Sequence, residues 1–248
     1  MNLKYSYKTD IGRIRSHNED AVQIFKNDEL LVVVVADGMG GHASGDVAAK
    51  MATCLAEAHF SAALAFASKE EAFVWLDNVL KRANADILTY AHDFNAKRMG
   101  TTLVSAIITK EFVAFASIGD SRAYILANNV LRQLTKDHTF VRELVDKGQI
   151  SKQAAKFHPQ KNVINKALGA NKILEFDFLT LENYAIEAIL LCTDGLTGMV
   201  EDQEILATLK AELATDVKVD QLVEKANANG GRDNISVALV EFSGRDKK

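Results

Sequence analysis

Three acidic residues stand where an apolar run stops. Residues 30–36 lead straight into Asp37-Gly38, residues 189–193 into Asp194-Gly195, and residues 115–119 into Asp120-Ser121-Arg122. A short Val-, Ile- or Phe-rich run broken at its end reads as a buried strand. Each acid therefore sits where a core strand leaves the core. A glycine beside the acid lets the main chain approach closely, so that a carbonyl such as that of Gly38 can act together with a carboxylate. Asn18-Glu19-Asp20 and Asp233-Asn234, each just before an apolar run, share this character. One Asp-Gly after a strand is an ordinary turn. A recurring set of strand-end acids, in sheets whose edges converge, points instead to a site. At ~4 Å and an effective dielectric of about 20, each carboxylate pair costs about 4 kcal/mol. Several can stay ionised together only with divalent cations among them. All-oxygen donors select hard ions, Mg²⁺, Mn²⁺ or Ca²⁺. The six histidines show no HxH or HExxH spacing, and no EF-hand loop is present.

The elements that must carry these acids follow from periodicity. Strands are expected at 3–7, 21–25, 30–36, 101–109, 112–118, 122–126, 173–179, 188–193 and 235–242. Helices are expected at 44–60, 69–93, 138–147, 151–157, 202–213 and 217–227. Strands come in groups joined by short turns, and helices come in consecutive pairs. That favours antiparallel pairing over a doubly wound sheet. The expected fold is α+β, a four-layer α-β-β-α sandwich of two antiparallel sheets flanked by helices.

With 248 residues, 48% hydrophobic and 25% charged, the chain can bury a sizeable core. A net charge of −4 disfavours nucleic acid as a partner. Cys54 and Cys192 lie in apolar runs with no CxxC, as buried thiols of a reducing compartment do. The N-terminus lacks an apolar signal core, and no run approaches the roughly 18 apolar residues of a membrane span. The chain reads as cytoplasmic, without membrane contact and monomeric. Residues 1–243 read as one domain and 244–248 as a short tail.

The segments Thr9-Asp10-Ile11-Gly12 with Arg15 and Asn18-Glu19-Asp20, Ala36-Asp37-Gly38-Met39-Gly40-Gly41-His42, Met99-Gly100-Thr101-Thr102 and Gly119-Asp120-Ser121-Arg122 occur in this order. Leu134-Thr135 with Asp137-His138, Ala167-Leu168-Gly169, Thr193-Asp194-Gly195-Leu196, and Gly231 with Asp233-Asn234-Ile235-Ser236 complete the series. Together they resemble the metal-dependent serine/threonine protein phosphatases of the 2C type, in their short bacterial form. The resemblance implies the same α-β-β-α sandwich, with a flap within about 138–169. It implies Mg²⁺ or Mn²⁺, two core ions and a weaker third. Asp37 would bridge two ions, with the Gly38 carbonyl as a further ligand. Asp194 and Asp233 would complete the first ion, and Asp120 with Asp194 would hold the third. Glu19 and Asp20 would stand near the second ion, mostly through ordered waters. Arg15 would bind the substrate phosphate, and His42 would protonate the leaving oxygen. Thr139 and Asn165-Lys166 depart from the commonest flap residues of such proteins, which bears on substrate preference rather than chemistry.

Other phosphatase chemistries lack their residues. A cysteine nucleophile needs an arginine six positions on, where Cys54 faces Phe60 and Cys192 faces Gly198. DxDxT, GxSxG and Walker motifs are absent, so water is the expected nucleophile. The implied reaction is hydrolysis of phosphoserine and phosphothreonine on proteins, opposing a serine/threonine kinase. A phosphatase-like binding module without activity, and a hydrolase of a non-protein phosphoester, are the alternatives.

Overall fold

The computed structural model describes residues 2–242 except 41–43, 62, 64 and 97. Its elements are β1 (Leu3–Asp10), β2 (Asp20–Lys26), β3 (Leu31–Met39), α1 (Ser44–Phe60), α2 (Lys69–Asp93), β4 (Gly100–Thr101), β5 (Leu103–Ile108), β6 (Phe112–Ile118), β7 (Arg122–Ala127) and β8 (Val130–Gln133). There follow α3 (Phe140–Asp146), α4 (Lys152–Lys156), β9 (Asp177–Glu182), β10 (Ala188–Cys192), α5 (Asp194–Thr197), α6 (Asp202–Lys210), α7 (Thr215–Ala228) and β11 (Ile235–Phe242).

One sheet has the order β1-β11-β10-β7-β8, the other β2-β3-β5-β6-β9 with β4 on β3. Every pairing is antiparallel. The unbroken Val run of β3 shows why the sheets stack. Successive side chains of a strand point to opposite faces, and here both faces are covered. Leu31, Val33 and Val35 point into the space between the sheets, against Ile125, Ile189, Leu191 and Val240. Val32 and Val34 point outward, against Ala48 and Ala52 of α1 and Leu76 and Leu80 of α2. On the far side Tyr124, Leu190 and Leu239 pack beneath Ile205, Leu209, Val219 and Leu222 of α6 and α7. Full burial of a Val or Leu side chain contributes roughly 1.5–3 kcal/mol, so the layers hold by these alternating stripes. The result is the expected α-β-β-α sandwich.

Differences from the sequence-based expectation have local causes. Strand β3 runs on through Asp37-Gly38 to Met39, because Gly38 and Met39 pair with Thr101 and Gly100. The single strand expected at 101–109 is split at Thr102, whose N–H goes to the Asp37 carbonyl instead. The strand expected at 173–179 forms as β9 from Asp177, where its ladder with β6 begins at Ser117. Before it, Leu174 and Phe176 pack on the α1–α2 cluster. Strand β8, unforeseen, is reached through a hairpin turn with positive φ at Asn128 (52°) and Asn129 (61°), a conformation Asn tolerates. The helix expected at 138–147 starts at Phe140, capped by the Thr139 side chain, which accepts from the Arg142 N–H.

Candidate active site

Asp37 is fixed through its own main chain. It lies opposite Asp20 in the β2–β3 ladder. Its N–H donates to Thr102 Oγ1 at 3.0 Å, and its carbonyl accepts from the Thr102 N–H and Thr101 Oγ1, both at 2.9 Å. Thr102 Oγ1 is in turn 2.7 Å from Ser121 Oγ, beside Asp120. Gly38 fills a place that no side chain can share. A Cβ there would lie 2.2 Å from the Gly45 carbonyl oxygen and 2.5 Å from that of Glu19.

Asp194 opens the short α5, immediately after β10. The preceding Thr193 donates its hydroxyl to Asp20 Oδ2 at 2.9 Å, linking the two sheets. Asp233, just before β11, accepts at 2.8 Å from Arg15, whose guanidinium is about half exposed on the rim. Asn234 ties the N-terminal loop to this corner. Its Oδ1 accepts from the Glu19 N–H at 2.9 Å, and its Nδ2 donates to the carbonyls of Ile11 (2.9 Å) and His17 (3.0 Å). Arg122 is paired at 2.6 Å with Asp137 and bonded to Tyr124, and its charge also pulls against the rise of Asp120 and Asp194.

The acids sense one another. Burial, then Asp20, Asp194, Asp120 and Asp233, hold Asp37 well above the usual carboxylate range. Burial with Asp194 and Asp233 nearby raises Asp20 to about 7, and burial with Asp194 and Asp137 nearby raises Asp120 to about 7. Asp194 is raised to about 6 by burial and Asp233. Glu19 is raised by burial, against the pull of His17 and Arg15.

The donor set fits hard divalent ions. Oδ1 of Asp20, Asp120 and Asp194 is in each case buried with no hydrogen-bond partner, an expensive state for a carboxylate oxygen unless something positive meets it. Among the described residues, no three His, Cys, Asp or Glu side chains by themselves close around one point. Ions that keep several waters and take main-chain carbonyls do not need them to.

The structure thus brings Asp20, Asp37, Asp120, Asp194 and Asp233 together, with Glu19 at the edge and Arg15 on the rim. His42 lies outside the described residues. Asp46 was not foreseen as part of this region. It lies 3.1 Å from Lys50 and 3.4 Å from His17, is close enough to Glu19 to raise it, and leaves Oδ1 buried and unpartnered. Its place in the first turn of α1 gave the only signal, and an acid there ordinarily answers the helix dipole.

A family model for Protein phosphatase 2C matches residues 13–236. The chain belongs to the protein phosphatase 2C family. It is 45% identical over 237 residues to serine/threonine phosphatase stp of Listeria welshimeri, covering 95% of this chain and 94% of that one. The crystal structure of serine/threonine phosphatase Stp1 from Staphylococcus aureus superposes with a TM-score of 0.92 at 37% identity, over 98% and 96% of the two chains. The catalytic domain of serine/threonine protein phosphatase PstP, in complex with two manganese ions, is 33% identical with a TM-score of 0.84, over 96% and 97%. Among the described residues of this 2C-family phosphatase, no helix is long and apolar enough to cross a membrane.

Proposed function

We propose that this serine/threonine protein phosphatase of the 2C type hydrolyses phosphoserine and phosphothreonine on other proteins with divalent ions held by Asp37, the Gly38 carbonyl, Asp194, Asp233 and Asp120. The observation that carries the reading is Asp37, half-buried and raised by Asp20, Asp194, Asp120 and Asp233 around it. Five such acids have no reason to share one place without cations. When bound, such ions lower the pKa of a coordinated water and offset charge on the phosphoryl group. Asp37 serves two ions, Asp194 and Asp233 complete the first, and Glu19 and Asp20 orient waters near the second. A weaker third ion rests on Asp120 with Asp194.

Arg15 binds the phosphoryl oxygens. One of its nitrogens is anchored on Asp233, which aims the planar group, and a guanidinium can meet two oxygens at once where an ammonium cannot. His42 gives a proton to the departing Ser or Thr oxygen, a role that rests on the sequence motif. Residues 1–243 work as one catalytic domain, with 138–169 as its flap. The partners are phosphoproteins modified by a serine/threonine kinase, with no nucleic acid and no membrane. The chain acts as a cytoplasmic monomer using Mg²⁺ or Mn²⁺.

Phosphate release from a phosphothreonine peptide tests the reading. Release is expected with Mn²⁺, stops in EDTA, and is abolished in Asp37→Asn or Asp194→Asn. Full turnover in EDTA would remove the metal mechanism.

A further inference from the structure

His138 grips one residue at both ends. Its main-chain N–H donates to the Gly119 carbonyl at 2.8 Å, and its Nδ1 accepts from the Gly119 N–H at 3.1 Å. Gly119 is the turn from which Asp120 projects. Its φ is +99°, and a Cβ there would lie 2.5 Å from the Thr102 side chain. The turn is therefore one that only glycine fits. The His138 side chain is 7% exposed, too deep for a solvent-facing role. An Nδ1 that accepts from an amide carries no proton, so the ring is neutral with its hydrogen on Nε2. That Nε2 lies 3.2 Å from Asp177 Oδ2, at the start of β9, without alignment as a hydrogen bond. The His138 carbonyl accepts from the Asn165 N–H at 2.8 Å. One residue thus joins the Asp120 turn to Asn165 and to the start of β9.

We propose that His138 is a positioning residue: by clamping Gly119 at its N–H and its carbonyl, it sets the direction in which Asp120 presents its carboxylate to the ion shared with Asp194. The inference rests on the reading of Asp120 as an ion ligand. Groups that hold a ligating carboxylate in place without touching the metal typically change metal affinity 10- to 100-fold when removed. The main-chain half of the clamp does not depend on the His138 side chain, and the Nδ1 half does.

The test is Mn²⁺ binding to the full chain, followed by electron paramagnetic resonance of the free ion, with Asp120→Asn as reference. In His138→Asn the amide oxygen takes the place of Nδ1 and can accept from Gly119. In His138→Gln the polar atoms move out to the Nε2 position and that acceptor is lost. Asp120→Asn and His138→Gln are expected to weaken the weakest Mn²⁺ site by on the order of 10- to 100-fold, while His138→Asn retains it. Wild-type binding in His138→Gln beside a weakened Asp120→Asn would overturn the role of His138. Wild-type binding in Asp120→Asn itself would overturn the Asp120 reading beneath it, and the inference with it. If His138→Gln does not fold, ¹⁵N chemical shifts of the His138 ring in the wild-type protein decide. Nδ1 unprotonated at neutral pH is expected, and a proton found on Nδ1 would refute the clamp.

Discussion

Removing divalent ions should make this protein's stability fall as pH rises. Asp20 titrates near 7 in the folded chain against an ordinary value of 3.8. With about 1.4 kcal/mol per pH unit of separation, Asp20 alone sets a scale of about 4 kcal/mol. The sign follows from proton counting. Between 3.8 and about 7 the folded state binds the proton more tightly than the unfolded chain does. Stability is therefore greatest at the acid end of that window and is lost as pH climbs through it. Asp120 and Asp194, raised to about 7 and about 6, act in the same direction. Each proton taken by one acid relieves its neighbours, so the three effects do not sum. Asp10 and Asp46 are lowered by their partners, and their contribution disappears only below 3.8. Urea unfolding at pH 5, 6, 7 and 8 in EDTA should show a loss of several kcal/mol across the range. Saturating Mn²⁺ should abolish most of that slope, because an ion that binds only the folded state replaces the protons. In Asp37→Asn the EDTA slope should be shallower, since one charge has left the cluster. A metal-free protein whose stability is flat or rising between pH 5 and 8 would refute the electrostatic argument.

His42→Ala should slow phosphopeptide turnover by about 10²- to 10⁴-fold and p-nitrophenyl phosphate turnover far less, because p-nitrophenolate leaves without a proton; equal slowing of both counts against a general acid. Arg15→Lys keeps the charge but loses the fork, so steady-state kinetics should show kcat/KM for a phosphothreonine peptide falling by about tenfold or more; an unchanged kcat/KM removes Arg15 from phosphate binding. Gly38→Ala forces a Cβ to within 2.2 Å of the Gly45 carbonyl, and urea melts should show a loss of about 3 kcal/mol. Phe157→Ser, at a side chain 83% exposed on the insertion, should leave stability within about 0.5 kcal/mol of wild type in the same melts.

The strand-end acids were legible because their signal is one-dimensional. An apolar run followed by Asp tells both that a strand is buried and where it nears the surface; Asp120 and Asp194 lie just past their strands, whereas Asp37 lies within β3, two residues before its end. The layers were legible for the same reason: the continuous Val run of β3 has two covered faces, and such a run has nowhere else to go. The clamps around the acids were not legible. Thr102 reads as one more strand residue until its N–H is seen to leave the ladder for Asp37. Asn234 gathers Ile11, His17 and Glu19 from more than 200 positions away, and no local pattern marks an amide for that work. Asp46 lies in the first turn of α1, and its nearness to Glu19 exists only in three dimensions. The boundary of β9 was misplaced because Leu174 and Phe176 are apolar for a helix-facing contact rather than for a ladder.

Strand β11 occupies an inner place, between β1 and β10, although it is the latest of the strands to leave the ribosome. Until it slots in, the first strand made has no partner in its sheet, and Asp233 and the Asn234 tether are missing from the corner that Arg15 needs. Phosphatase activity is therefore expected to appear only once this strand has been delivered. A chain truncated before residue 233 is expected to release no phosphate from a phosphothreonine peptide.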